Sequence, residues 1–467
     1  MRKLHLLIFL SLVSIVTWSQ KNIKLKESFV DSASYVYFTK VKHKELVELT
    51  HKALSEGIDS YFLRVRTGVS YFNKNEFYMA SIHLRKALEY YPSDMYTKEF
   101  LFYSYLYMEN IEDAKLIIAK MPFSYQEFYM KQIKFQKSFI FESGYQFTNY
   151  SNKQDSSVFL AKDTKDTSLH GNGIYAESDR MKSILYYQFG FSYPISKRIK
   201  AYSGLSLVQN NREQHIYTKT YVWDAINLAL TPSINDVAKS YTLSQYQAYT
   251  GLSITLPKNF NLQVGGQYMY YSQTKMKASY DSTTFNYSYA DYKVFKGNFV
   301  TNISLSKNFG KIIPTISLGY NYIDAISITQ YSSQLNYLPF GNFNLNISAG
   351  LGLSKDRSNT RTVYFAKIGG KLTEKLWYET YFYGGNLKYF TEGNAYVVYN
   401  ISDIITMKSG LNLTYYLSQK LNFGLRYDVL KRESSYDRYY STKKSTFMTY
   451  TDNYLNHSLI LNLVWKF

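Results

Sequence analysis

Histidine and serine stand side by side at His457 and Ser458, the pair a hydrolase uses when a ring nitrogen takes the proton of an attacking hydroxyl. That chemistry needs both side chains within hydrogen-bond reach. Here they belong to a run whose apolar residues alternate with polar ones, and neighbours on a strand point to opposite faces. His457 shares the outward phase of Leu459, away from Ser458. His170 and His215 fall in polar stretches read as loops, with no metal-ligand spacing around them. His83, between Ile82 and Leu84 on a helical stretch, reads as a packing histidine. The chain has no cysteine, hence no thiol nucleophile and no disulfide framework. These residues predict no enzymatic activity, no cofactor and no metal.

The elements that position them follow from composition and period. Among 467 residues there are 51 tyrosines, and rings make up 18% of the chain, well above ordinary usage. Tyrosine suits a membrane interface, where its ring meets acyl chains and its hydroxyl stays wet. No internal stretch reaches the ~18 to 20 apolar residues of a spanning helix. A closed barrel is then the one way to cross a membrane. The net charge of +19 is spread along the chain rather than clustered on one soluble module, which argues against nucleic acid and suits anionic lipid head groups.

Arg2 and Lys3 precede an apolar core, Leu4 to Val16, and small residues at Thr17 and Ser19, the order of a secretory signal spanning residues 1–19. Residues 20–134 form a predicted helical domain. Within it Gly68, Tyr71, Ala80, Leu84, Ala87 and Pro92 stand at the offsets where a tetratricopeptide repeat places its close crossing, packed ring, knobs and turn breaker. One repeat further on, Tyr105, Ala114 and Ile118 occupy three of the same offsets. Stacked repeats of this kind bind peptides or proteins along a groove.

From about residue 135 to 467 the period drops to 2. Leu345, Ile347, Ala349, Leu351 and Leu353 alternate with Asn346, Ser348, Gly350, Gly352 and Ser354, one face for lipid and one for water. Tight turns at 194–197, 257–259, 307–311, 339–342, 373–375 and 418–420 alternate with longer polar stretches, at roughly 151–180, 210–240, 273–290 and 432–452, expected as loops outside the cell. The count predicts an all-β transmembrane antiparallel barrel of about 14 strands, preceded by a small all-α helical-repeat domain. The run through Leu463, Trp465 and Phe467 matches the terminal signal that barrel-assembly machinery reads. Phasing turns Lys200, Lys296, Lys367, Lys371, Lys408 and Arg426 into the lumen, with Glu379 and Asp428 among the few acids there.

The order of signal, tetratricopeptide-like helices and barrel resembles the YaiO-like outer-membrane barrels and, more loosely, exopolysaccharide-export porins. The resemblance implies an outer-membrane protein with its helices in the periplasm. The first expectation is an anchor whose helices bind a periplasmic protein of an envelope or secretion assembly. The alternative is a channel for a small solute or exopolysaccharide, with anion preference from its lumen charges. Expected partners are outer-membrane lipid, the assembly machinery during biogenesis and a periplasmic protein, with no nucleic acid.

Overall fold

The computed structural model describes residues 25–108, 110–133, 137–148, 174–196, 198–224, 226, 229–281, 286–400, 403–418, 420–439 and 447–467. The predicted signal segment and His170 lie outside them. The chain divides near residue 126 into two compact units, with residues 110–112 grouped with the second.

The first unit is helical. Among the described residues the chain forms α1 (Glu27–Thr39), α2 (His43–Ser55), α3 (Tyr61–Asn73), α4 (Phe77–Tyr90), α5 (Met95–Tyr107), α6 (Ile111–Ala119) and α7 (Phe123–Gln132). Side chains set several of the boundaries. Ser60 accepts from Leu63 N at 3.4 Å to start α3, and Asp94 accepts from Thr97 N at 2.8 Å to start α5. Gly57, at φ 82°, takes the left-handed conformation that follows α2. The motif positions read from the sequence are packing positions. A Cβ on Gly68 would sit 2.7 Å from Leu84 Cγ, so a glycine is what lets α3 and α4 close on each other. Tyr71, Ala80, Leu84 and Ala87 are buried at this crossing, as are Tyr105 on α5 and Ala114 and Ile118 on α6. Pro92 stands in the turn after α4.

The second unit is a barrel. Its strands are β1 (Ser138–Thr148), β2 (Ile174–Pro194), β3 (Ile199–Asp224), β4 (Ala229–Leu256), β5 (Phe260–Asp281), β6 (Asn286–Lys307), β7 (Ile312–Ile323), β8 (Ile326–Tyr337), β9 (Leu345–Lys355), β10 (Thr360–Lys371) and β11 (Leu376–Gly385). Two short strands, β12 (Thr391–Glu392) and β13 (Val397–Val398), pair only with each other. The wall resumes with β14 (Ile404–Tyr416), β15 (Leu421–Tyr439) and β16 (Phe447–Lys466). Fourteen antiparallel strands close when β1 pairs with β16, from Ser138 opposite Lys466 to Thr148 opposite Asn456. Because the number is even, β1 begins and β16 ends at the same rim, called here the terminal end.

The outer face carries the apolar phase. Leu205, Phe295, Ile316, Leu351 and Leu461 all stand exposed, while Ser348, Ser354 and Gln267 on the other phase are buried. Strand β9, with 11 residues at ~3.3 Å each and a tilt near 45°, rises about 25 Å, the height of a membrane's apolar band. Rings gather at the terminal end: Phe467 lies 5.4 Å from Phe139, 6.2 Å from Phe191 and 5.8 Å from Trp465, centroid to centroid. Leu463 stands on the same strand and phase, opposite Phe141 and Phe423.

One expectation is overturned. Much of the polar sequence read as long loops is strand: β2 begins at Ile174, the β3 and β4 ladder runs to Asp224 and Ala229, that of β5 and β6 to Asp281 and Asn286, and that of β15 and β16 to Tyr439 and Phe447. His215 therefore sits on β3 rather than in a loop. In the upper part of β3 burial does not alternate, Gln214 through Thr218 being buried in succession and Ile216 packing with Tyr175, Met276 and Ala278, so hydrophobic alternation fades while the hydrogen-bond ladder continues.

In the helical unit His83 is buried against Tyr71, ring centroids 5.5 Å apart, and its Nδ1 lies 3.3 Å from Arg64 Nη1. Arg64 in turn holds Asp59 through two 2.7 Å bonds. Burial, reinforced by the Arg64 charge, pushes the imidazole down to about 4. The unfolded chain then binds the extra proton first, so the stability held above pH ~6.5 is lost as pH falls toward 4. At pH 5 the helical unit should be about 2 kcal/mol less stable than at pH 7. The helical melting transition of the refolded chain, followed at 222 nm, should shift accordingly. His83→Gln should flatten that dependence.

Candidate functional site

The site is built where the wall is interrupted. Between β11 and β14 the chain does not turn back at the rim. Residues 386–403, described except for 401 and 402, fold into the lumen, and β12 and β13 form a small hairpin there. Half of this segment is apolar, against the usual composition of a loop, and those side chains supply two feet. Leu387 and Phe390 pack with Val363, Phe365, Tyr383, Ile405 and Leu430 on one side. Tyr389 and Ala395 pack with Met269, Val300, Ile323 and Ile328 on the other.

Polar contacts complete the ring. Gln330 of β8 donates to Thr391 O at 2.9 Å, and its side-chain oxygen accepts from Thr391 N at 2.9 Å, replacing a lost ladder pair. Asn394 bonds Gln263 of β5 through its amide and Ser304 of β6 at 2.8 Å, while its carbonyl accepts from Tyr249 of β4 at 3.3 Å. Tyr396 accepts from Gln188 of β2 at 2.6 Å and lies beside Tyr202 of β3. Asn400 donates to Gln245 of β4 at 2.9 Å. Glu392 pairs with Lys408 of β14 at 3.1 Å and accepts from Tyr399. The segment thus grips strands on every side of the barrel.

Its backbone is held against preference. Tyr389, Asn394 and Ala395 adopt φ of 65°, 56° and 70°, a region costing side-chain-bearing residues on the order of 1 kcal/mol or more each. Wall glycines make the room. A Cβ on Gly265 would sit 2.0 Å from Asn394 O, and one on Gly352 would sit 2.4 Å from the Phe390 ring. Both lie on the inward phase, where a glycine marks a close approach of another backbone or ring.

Two cavities remain beside the segment. One, of about 200 Å³, is bordered by Glu142, Gln146, Tyr186, Leu387, Val398, Leu430 and Arg432. The other, of about 310 Å³, is bordered by Asp179, Arg212, Tyr241, Lys275, Lys296 and Asp324. In the second, Asp179 accepts from Arg212 at 2.7 Å, Lys275 at 2.6 Å and Tyr241 at 2.6 Å.

Of the eight charges phased into the lumen, four gather around Tyr381 and Tyr383. Lys367 lies 5.5 Å from the Tyr383 ring centre and Lys408 5.3 Å from it, Tyr381 donates to Asp428, and Arg426 pairs with Asp428 at 3.4 Å. Lys296 meets Asp324 at 3.2 Å in the larger cavity. Lys371, bonded to Glu374, and Lys200 stand toward the terminal end, and Glu379 lies in register between Gly369 and Asn412. The basic lumen expected from phasing is accordingly laced with acids. Sequence reading passed over Asp179, Asp324, Glu392 and the inward segment itself; the inward glycines and the apolar run from Leu387 to Tyr399 were the available signals.

The adjacent histidine and serine on β16 are separated as the phase requires. His457 faces outward, 2.7 Å from Tyr427 Oη and stacked on Phe147, while Ser458 is buried on the inner face. His215 lies 3.7 Å from Glu213 and 3.8 Å from Asp236. Among the described residues no group of three or more such side chains is placed to hold a metal.

Substituting Gly352→Val should unseat Phe390 and release the segment. Trypsin would then cut after Lys388 in the refolded variant while sparing that bond in the parent, and equal resistance of the two would contradict the packing described.

No protein-family model matches the chain, and no curated protein matches it. Solved barrels resemble it at the level of architecture. The toluene transporter TodX of P. putida is 9% identical over 72% of this chain and 91% of its own, with a TM-score of 0.44. A FadL homologue of Pseudomonas aeruginosa is 10% identical over 71% and 90%, at 0.43. The toluene transporter TbuX of Ralstonia pickettii is 9% identical over 72% and 90%, at 0.34. At these values the likeness carries neither ligand nor mechanism, and the barrel rests on its own closed ladder.

Proposed function

We propose that the protein is an outer-membrane channel whose passage is governed by the inward segment, residues 386–403. The observation that carries this is the segment's grip on opposing walls through side chains, Gln330, Gln263, Gln188 and Lys408, which hold it by bonds that can be exchanged for water. A barrel of 14 strands is wider than the eight-stranded kind that its own side chains fill, and narrower than the open porins of 16 to 18. Here an added segment does the filling. In this reading the terminal end faces the periplasm, with the helices on that side, and the long polar hairpins stand outside the cell.

The order of the two expectations is thereby reversed. The anchor with a docked partner drew on the helical motif, whose residues other than Pro92 are buried packing positions, whereas the lumen holds two cavities bordered by charged groups. Ion pairs temper the expected anion preference, since Lys408, Arg426 and Lys296 each have an acid within 4.0 Å.

Planar-bilayer recordings test the reading. The intact chain should show small or rare openings, and replacing residues 387–399 with a short Gly-Ser link should raise unit conductance severalfold. A parent already open and steady, or a replacement with unchanged conductance, would sink it.

A further inference from the structure

The geometry points to a binding site for a small organic carboxylate in the cavity of about 200 Å³ between the inward segment and the wall of β1, β2, β14, β15 and β16. This deepens the channel reading and relies on it for the ligand's route of entry.

The carrying observation is Arg432. Its side chain lines the cavity at 2% exposure, yet Nε and Nη1 have no hydrogen-bond partner, and no ion pair to it is found among the described residues. A guanidinium cannot shed its proton, so burial without a counter-charge is costly and invites an anion. Gln146 Nε2, lining the same cavity, is likewise buried with no acceptor. The cavity's own acids are engaged elsewhere. Glu142 accepts from Asn462 at 2.8 Å and from Tyr186 at 3.3 Å, and Asp403 accepts from Tyr454. Lys388 and Arg426, the latter paired with Asp428, add further positive side chains to the lining.

Nε and Nη1 lie on different edges of the guanidinium, and each offers a charge-assisted hydrogen bond to an anionic oxygen, which a carboxylate supplies. Part of the remaining wall is apolar, with Leu387, Val398 and Leu430 among the lining residues. At about 30 Å³ for each water-sized group the volume holds on the order of six or seven heavy atoms. A short aliphatic acid has this size and this division between charged head and apolar body.

The test is calorimetric titration of the refolded full chain with pentanoate and, separately, 1-pentanol. Pentanoate should bind at one site at least tenfold more tightly than the alcohol, and Arg432→Gln should erase that difference while leaving alcohol binding alone. Folding of the variant is checked by heat-modifiable migration on gels. If Arg432→Gln does not refold, Arg432→Lys is used and should retain a reduced preference for the acid. Equal affinity for acid and alcohol, undiminished pentanoate binding by Arg432→Gln, or chloride competing as well as pentanoate would overturn the proposal. Binding is read at equilibrium, so a chain that binds pentanoate but never conducts would sink the channel reading and leave this site standing.

Discussion

Inside hydrocarbon every backbone N–H and C=O must find its partner within the protein, and the rest of the structure answers to that demand. A sheet meets it only by closing, and the pairing of β1 with β16 removes the last edges. Closure dictates the two-phase pattern of each strand, because one side meets lipid and the other an enclosed space. It also creates a problem that small barrels escape. Fourteen strands surround more room than their own side chains fill, so the interior must hold water or another piece of chain.

The protein uses a piece of chain. Residues 386–403 obey the same accounting as the wall, with Leu387 N bonded to Ile405 O at 3.0 Å, Tyr389 N to Tyr399 O at 2.8 Å and Thr391 N to Gln330. Where the backbone is strained, side chains of the wall compensate. The positive φ of Asn394 persists because its amide and carbonyl are both claimed by β4, β5 and β6. Such a segment is stable without being integral to the ladder: its removal would break no strand pairing. That separation between a wall that cannot open and a filling that can is the physical basis for reading the molecule as a channel.

Charge follows the same logic. Lysine and arginine on the inward phase avoid the cost of facing lipid, ~2 to 4 kcal/mol each at mid-depth, and then meet acids from distant parts of the chain. Lys408 finds Glu392 of the inward segment, and Arg212 and Lys275 share Asp179. Among the described residues Arg432 differs from these in that its Nε and Nη1 are buried without a hydrogen-bond partner.

How much of this was legible in advance depended on whether lipid imposed a pattern. Strands such as β5 and β9, whose outer faces meet hydrocarbon, announced themselves by alternation, and the turns at 257–259 and 373–375 by their residues. The upper hairpins of β3 with β4 and β5 with β6 read as loops because lipid imposes no rhythm on them: Gln214 through Thr218 are buried in succession, and Ile216 packs with Tyr175, Met276 and Ala278. The inward segment was hidden for a different reason: its apolar residues face a lumen formed by strands up to 208 positions away, as between Gln188 and Tyr396, and local period holds no record of that. Gly68 and Leu84 were legible because their crossing is local.

The central claim is that residues 386–403 occupy the lumen as part of the folded barrel. Hydrogen exchange of the refolded chain in lipid tests it directly, read at the amides of Leu387, Tyr389 and Thr391. The account predicts protection comparable to that of the adjoining strands β11 and β14. Exchange at the rate of a free surface loop would contradict it.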